Sequence, residues 1–168
     1  MGDRLKHALT LLALVAIVVV GALWGWQALT KPFPSSGKAA DDSPCAETAV
    51  VQGSGVRPGQ VWLSVLNASD RNGLAGDTLD KLVARGFAEG ATGNAPDGTE
   101  VRTVEVWAAD PASPAALLVK SYLPRATVVE HDELDSRVTV VVGQQFTDLR
   151  EGKKLVVAAS DATICSPR

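Results

Sequence analysis

Residues 60–87 read QVWLSVLNASDRNGLAGDTLDKLVARGF, and two hydrophobic periods meet inside them. Up to Leu66 the period is two: Val61, Leu63 and Val65 share one side, Trp62, Ser64 and Leu66 the other. A strand that is apolar on both sides is covered on both, so a central strand is expected at 60–66. From Leu74 the period becomes helical. Leu74, Ala75, Leu79, Leu82 and Val83 form one stripe, and Asp77, Asp80, Lys81 and Arg85 form the wet face. Asn72 is the expected N-cap, Gly86 the expected left-handed stop, and Phe87 is expected to fold back on the helix end.

Between the two periods lies LNASDRNG. A turn from a strand into a helix N-terminus can hold an anion on free backbone N–H groups. The spacing here is neither GxGxxG nor GxxxxGK[ST]. Asp70 would repel a phosphate and Arg71 would attract one. Two readings stand side by side. In the first, Asn67, Ser69 and Asn72 only bond the local backbone. In the second, Asn67, Ser69, Arg71 and Asn72 form a loop that contacts a ligand or partner.

Further along, EVRTVEVW at 100–107 alternates and predicts a strand. A second helix is expected at 115–123, after Pro111 and Pro114 and stopped by Pro124. Short strands are expected at 126–129 and 48–51, a strong one at 137–142 closed by Gly143, and an edge strand at 155–159. The order strand-helix-strand-helix-strand-strand gives an α/β fold, a small mixed sheet with two helices packed on it.

Upstream, residues 8–30 carry no charge. Twenty-three residues at about 1.5 Å each reach roughly 34 Å, enough for a ~30 Å hydrocarbon core. Trp24 and Trp26 fit the interfacial belt. The run exceeds the ~7–15 residues of a cleaved signal peptide, and Trp26 spoils the nearest small-x-small site. Residues 8–30 are therefore expected as a retained transmembrane helix, in the plasma membrane. Arg4 and Lys6 place a cytoplasmic tail at 1–7. Residues 31–44, KPFPSSGKAADDSP, form the linker, and 45–168 the domain on the exterior face. Two cysteines, Cys45 and Cys165, stand at the two ends of that domain. In an exported domain they read as a disulfide; the alternative is two unpaired thiols.

The chain has 16 basic and 19 acidic residues; without Arg4, Lys6 and Asp3 the part after residue 30 keeps 14 and 18, a net −4. That balance gives no basic patch for nucleic acid. The acidic run at 130–135, EHDELD, has consecutive residues and no ligand-loop spacing, so it reads as a solvated loop. His131 is the one histidine after the span, and no GxSxG elbow accompanies it. No catalytic residue, metal site or cofactor is expected.

The stretch at 60–87, GNAP at 93–96 and VTVVVGQQF at 138–146 resemble the LytR C-terminal domain. That family shows a V-x-V-L-N-(G/A)-(S/T) strand and turn, a G-L-A helix start, a Gly-Phe helix end and a late V-x-V-V-x-G strand. The domain is often appended to LytR–CpsA–Psr enzymes, which transfer glycopolymers onto peptidoglycan. In actinobacteria it also stands alone behind one membrane span, as in envelope integrity proteins. The resemblance implies the standalone form: a non-catalytic accessory or scaffold protein of the bacterial cell envelope. Its implied partners are LytR–CpsA–Psr-type assembly proteins or a peptidoglycan-linked polymer. The alternative is a module that binds a glycan or lipid precursor above LNASDRNG.

Overall fold

The computed structural model describes residues 45–168. The expected tail at 1–7, span at 8–30 and linker at 31–44 lie outside the described residues. Among the described residues, no helix is long and apolar enough to cross a membrane.

The elements run β1 (Cys45–Val50), β2 (Gly55–Val56), β3 (Trp62–Ala68), α1 (Leu74–Ala84), β4 (Ala88–Asn94), β5 (Val104–Ala108), α2 (Pro114–Tyr122), β6 (Thr127–Glu130), β7 (Val138–Gly143), β8 (Val156–Val157) and β9 (Ala162–Pro167). Five strands form the main sheet in the order β4-β3-β7-β5-β6. β7, VTVVVG, is buried along its whole length and sits at the centre. It runs parallel to β3, with Leu63 opposite Val138 and Ala68 opposite Gly143. It runs antiparallel to β5, with Val104 opposite Val142. The outer pairs β3–β4 and β5–β6 are both parallel.

The sheet is thus two βαβ units, β3-α1-β4 and β5-α2-β6, with β7 inserted between them. Their first strands are antiparallel and the units step outward in opposite directions. Two right-handed crossovers so arranged leave both helices on one face. Leu74, Leu79 and Leu82 of α1 and Leu118, Val119 and Tyr122 of α2 share one core with Leu63, Val65, Val106, Val140 and Val142. On the other face, Trp62 packs with Cys45 and Cys165, and Trp107 and Val141 pack with Val101.

Cys45 and Cys165 are bonded, with Cα atoms 5.5 Å apart across 120 positions. They lie in the antiparallel β1–β9 ladder, where Cys165 faces Glu47. The bridge therefore closes the two ends of the domain beside Trp62, the first residue of β3 in the central sheet.

Helix ends follow local chemistry. After α1, Gly86 adopts φ 96°; its N–H donates to Val83 O (2.8 Å), and the Phe87 N–H to Leu82 O (3.2 Å). This is the Schellman closure expected from Arg85-Gly86-Phe87. At the start of α2, Ser113 Oγ accepts from the Ala116 N–H at 3.2 Å, with Pro114 at the first helical position.

Three readings need correction. Asn72 is not the cap of α1: Gly73 occupies that position at φ 79°, with no side-chain bond to the first turn. Asn-Gly offers the left-handed region to whichever residue bears it at least cost, and glycine wins. The strand expected at 155–159 is only Val156–Val157, and it pairs with β2 in a separate two-stranded ladder, not with the main sheet. A full strand went unforeseen at 88–94, where AEGATGN forms β4 at the sheet edge. There the β3–β4 register shifts around Ser64. At Gly90 a β-carbon would collide with the Leu63 carbonyl, so only glycine lets the two backbones close.

Candidate functional site: a polar cleft at the strand ends

β3, β4 and β7 run parallel and end together, at Ala68, Asn94 and Gly143. In open α/β sheets the space beyond the carboxyl ends of parallel strands is where ligands lie. Here that space is an open cleft of about 680 Å³. Its walls come from three stretches far apart in sequence: NASD at 67–70 with Asn72, NAPDGT at 94–99, and Gln144.

Each wall is held by identifiable bonds. Asn67 organises the first. Its Oδ1 accepts from the Ser69 N–H (3.0 Å) and the Ser69 hydroxyl (2.7 Å), while its Nδ2 donates to Arg71 O (2.8 Å). Ser69 Oγ in turn accepts from the Arg71 N–H at 3.2 Å. The turn is thus closed by its own short polar side chains, as Asx and Ser turns are. Asn67 O accepts from the Ala95 N–H at 2.9 Å, which seats GNAP beside LNAS.

The third wall depends on Gly143. A β-carbon there would strike the Val101 carbonyl. Its N–H donates to Thr103 O (2.8 Å), and Gln145 N–H to Arg102 O (2.9 Å). The buried Phe146 ring pins the end of this turn in the core. Gln144 then presents Oε1 to the Asp70 N–H at 3.3 Å, and the Phe146 carbonyl accepts from Arg71 Nη1 at 2.6 Å.

That last bond settles where the Arg71 charge goes. The guanidinium is committed to the β7 turn, and Arg71 is not among the residues that line the cleft. Asn67, Ser69 and Asn72 do line it, with Asp70 and Asp97 as its charged groups. Around them stand amides and hydroxyls: Asn94, Thr99 and Gln144. The side chains of Asn72, Asn94 and Thr99 make no hydrogen bond to any described residue and are free to meet a ligand. An arrangement of neutral donors and acceptors with two carboxylates suits hydroxyl- or amide-bearing groups and repels phosphate.

The other sequence candidates sit elsewhere. His131 stacks on the Trp107 indole at 4.1 Å between ring centroids, and its backbone N–H donates to Ala108 O. Trp107 Nε1 donates to Glu105 at 2.9 Å. Asp132–Leu134 form a single 3-10 turn beyond β6. Among the described residues, no three His, Cys, Asp or Glu side chains gather as a metal site.

The sequence placed a cleft above LNASDRNG as the alternative reading; what it missed are the walls that residues 94–99 and Gln144 add. A partial signal was present, because LNAS and VGQQ place turn-forming residues just after the apolar runs of β3 and β7.

The family model described as LytR cell envelope-related transcriptional attenuator matches residues 60–146, a span that runs from the start of β3 to the Phe146 that closes the cleft. Among solved structures, the chain resembles the soluble domain (residues 71-217) of a conserved hypothetical secreted protein, the Rv2700 ortholog, from Mycobacterium marinum. The TM-score is 0.53 at 25% identity, over 61% of this chain and 70% of that one. No curated protein matches.

Proposed function

The chain belongs to the LytR C-terminal family, and on that premise we propose that it is a non-catalytic, membrane-anchored accessory protein supporting cell-envelope integrity or wall glycopolymer assembly. The family's function is cell-envelope related, and the neighbouring structure is the soluble domain of a secreted protein. Both support an exterior domain. In this reading residues 8–30 span the plasma membrane once, the tail at 1–7 is cytoplasmic, and residues 45–168 work outside as the LytR C-terminal domain. The partner is an envelope-assembly protein of the LytR–CpsA–Psr type, and the cleft is where a loop of that partner seats.

One observation carries the reading: the three stretches that carry the family resemblance, remote in sequence, build the walls of one cleft. Its lining supplies positioned donors and acceptors. A second reading has one specific observation in its favour. The unpartnered Asn72, Asn94 and Thr99 side chains suit a glycan, and Asp70 and Asp97 favour an uncharged glycan over a phosphorylated lipid precursor.

A photo-crosslinking residue at Asn94, in the full chain in living cells, tests both. A protein adduct supports the scaffold reading, and a glycan adduct supports the second. Adducts no more abundant than those from an exposed position remote from the cleft, such as Thr48, would refute both.

A further inference from the structure

We propose that the corner formed by α2, β2 and β8 is a membrane-docking face that lays the exterior domain against an anionic lipid surface. Among the described residues the exposed large apolar side chains are Val51, Leu117, Leu155 and Val157, which lie on or next to α2, β2 and β8. Val157 lies opposite Gly55 in the β2–β8 pair. Leu155 packs over Gly55, where a β-carbon would displace it. Val51 opens the turn whose Gly53 N–H donates to Ala158 O at 2.9 Å. Leu117 lies on the outer face of α2, and α2 packs on both β2 and β8. Val51 is 65% exposed and Val157 56%, far more than a strand or turn beside a core requires.

Basic side chains border Leu117, Leu155 and Val157, while Asp161 lies beside Val51. The segment before β8, residues 151–155, reads EGKKL. It is tied along α2: Arg150 N–H donates to Tyr122 O (2.8 Å), Lys153 N–H to Ser121 Oγ (2.9 Å), and the Tyr122 hydroxyl to Lys153 O (3.0 Å). Gly152 makes this close approach possible, since a β-carbon there would enter the Tyr122 ring. Lys153 and Lys154 are therefore held immediately beside Leu155 and Val157. Lys120 adds a third ammonium one turn along α2 from Leu117. None of the three lysines is in an ion pair with a described residue.

Aliphatic side chains flanked by unpaired lysines match a lipid interface: the apolar groups enter the acyl boundary and the ammonium groups meet anionic headgroups. Lysines outnumber carboxylates here, Lys120, Lys153 and Lys154 against Glu151 and Asp161, whose carboxylate accepts from the Gln52 N–H at 2.8 Å, although the part of the chain after residue 30 is net −4. Four apolar side chains fall well short of the roughly 20–30 residues a side of a stable protein interface. The lipid surface is thus the occupant that fits the size as well as the charge.

The test uses residues 45–168, which belong to a single compact unit with its own core and disulfide. Its outcome is therefore independent of whether residues 8–30 span a bilayer and of what the cleft binds. Sedimentation with phosphatidylglycerol vesicles at low salt should carry the domain down, with phosphatidylcholine vesicles leaving it in solution. Val157→Asp should lower the bound fraction at least fivefold, as should the double change Lys153→Glu, Lys154→Glu. Arg102→Glu, beside the Gly143 turn, should leave it unchanged. Melting curves confirm that each variant is folded; Val157 is exposed, so none should lose stability. No binding to phosphatidylglycerol, or undiminished binding by both patch variants, would overturn the proposal. So would a dimer in solution that Val157→Asp dissolves while vesicles bind nothing.

Discussion

Removing the Arg71 side chain separates two incompatible roles for the LNASDRNG turn. As an exposed charge waiting for an anion, Arg71 would contribute nothing to folding. In the structure its Nη1 donates to the Phe146 carbonyl at 2.6 Å, joining the turn after β3 to the turn after β7 across 75 positions. A hydrogen bond with a charged partner contributes about 1.5–3 kcal/mol where water is excluded. The Arg71 side chain is largely exposed, so solvent competes and about 1 kcal/mol is the expected loss. The backbone of Arg71 keeps its bonds to Asn67 and Ser69 after truncation, so the loss belongs to the guanidinium alone. For a domain of this size 1 kcal/mol moves the melting temperature by roughly 3–5 °C. Thermal and urea unfolding of residues 45–168 should show Arg71→Ala lower by that amount, with an unchanged denaturant slope. Inorganic phosphate should stabilise neither protein. A variant that melts within about 1 °C of the parent, or a parent that phosphate protects and Arg71→Ala does not, would refute the assignment.

Three other outcomes follow from the same structure. Cys165→Ser opens a loop of 120 positions and should cost on the order of 2–5 kcal/mol, read as a fall in urea midpoint that reducing agent reproduces in the parent. Gly90→Ala forces a β-carbon against the Leu63 carbonyl; β4 must separate from β3, and a loss of about 2 kcal/mol or more is expected in the same assay. Asp148 is held below the ordinary carboxylate range, first by its hydrogen bond with the Lys81 ammonium (3.0 Å) and then by the Leu149 N–H (2.8 Å). A depressed folded-state value means stability that is present above the unfolded carboxylate range, about pH 4, and lost as pH falls through the lower folded value. Asp148→Asn should therefore be less stable than the parent at pH 7 and indistinguishable from it at about pH 2.

Much of this fold was readable because its central elements carry strong periodic signals. β3 and β7 are apolar on both faces, and α1 has a clean stripe and a Gly86 stop. β4 was not readable for a physical reason. It is an edge strand, largely solvated, and its Gly90 answers a backbone approach that only the folded chain reveals. The indirect sign was the helix end itself: after Phe87 folds back, a crossover returns a strand parallel to β3. The β1–β9 ladder joins segments more than 100 positions apart, so no local pattern announces it, although the cysteines did. At the site, the turn chemistry of Asn67 and Ser69 was legible, being local. The destination of Arg71 was not, because its acceptor lies on another strand's turn. Nor were the far walls of the cleft above LNASDRNG, which come from residues 94–99 and Gln144.

The claim that this cleft is the working surface of the protein has one direct test. Asn94 is exposed on its rim and its side chain bonds to no described residue, so Asn94→Trp fills the cleft without touching the core. Introduced into cells that lack the parent chain, the variant should be made, exported and folded like the parent, yet fail to restore envelope integrity. Full restoration by Asn94→Trp would contradict the account.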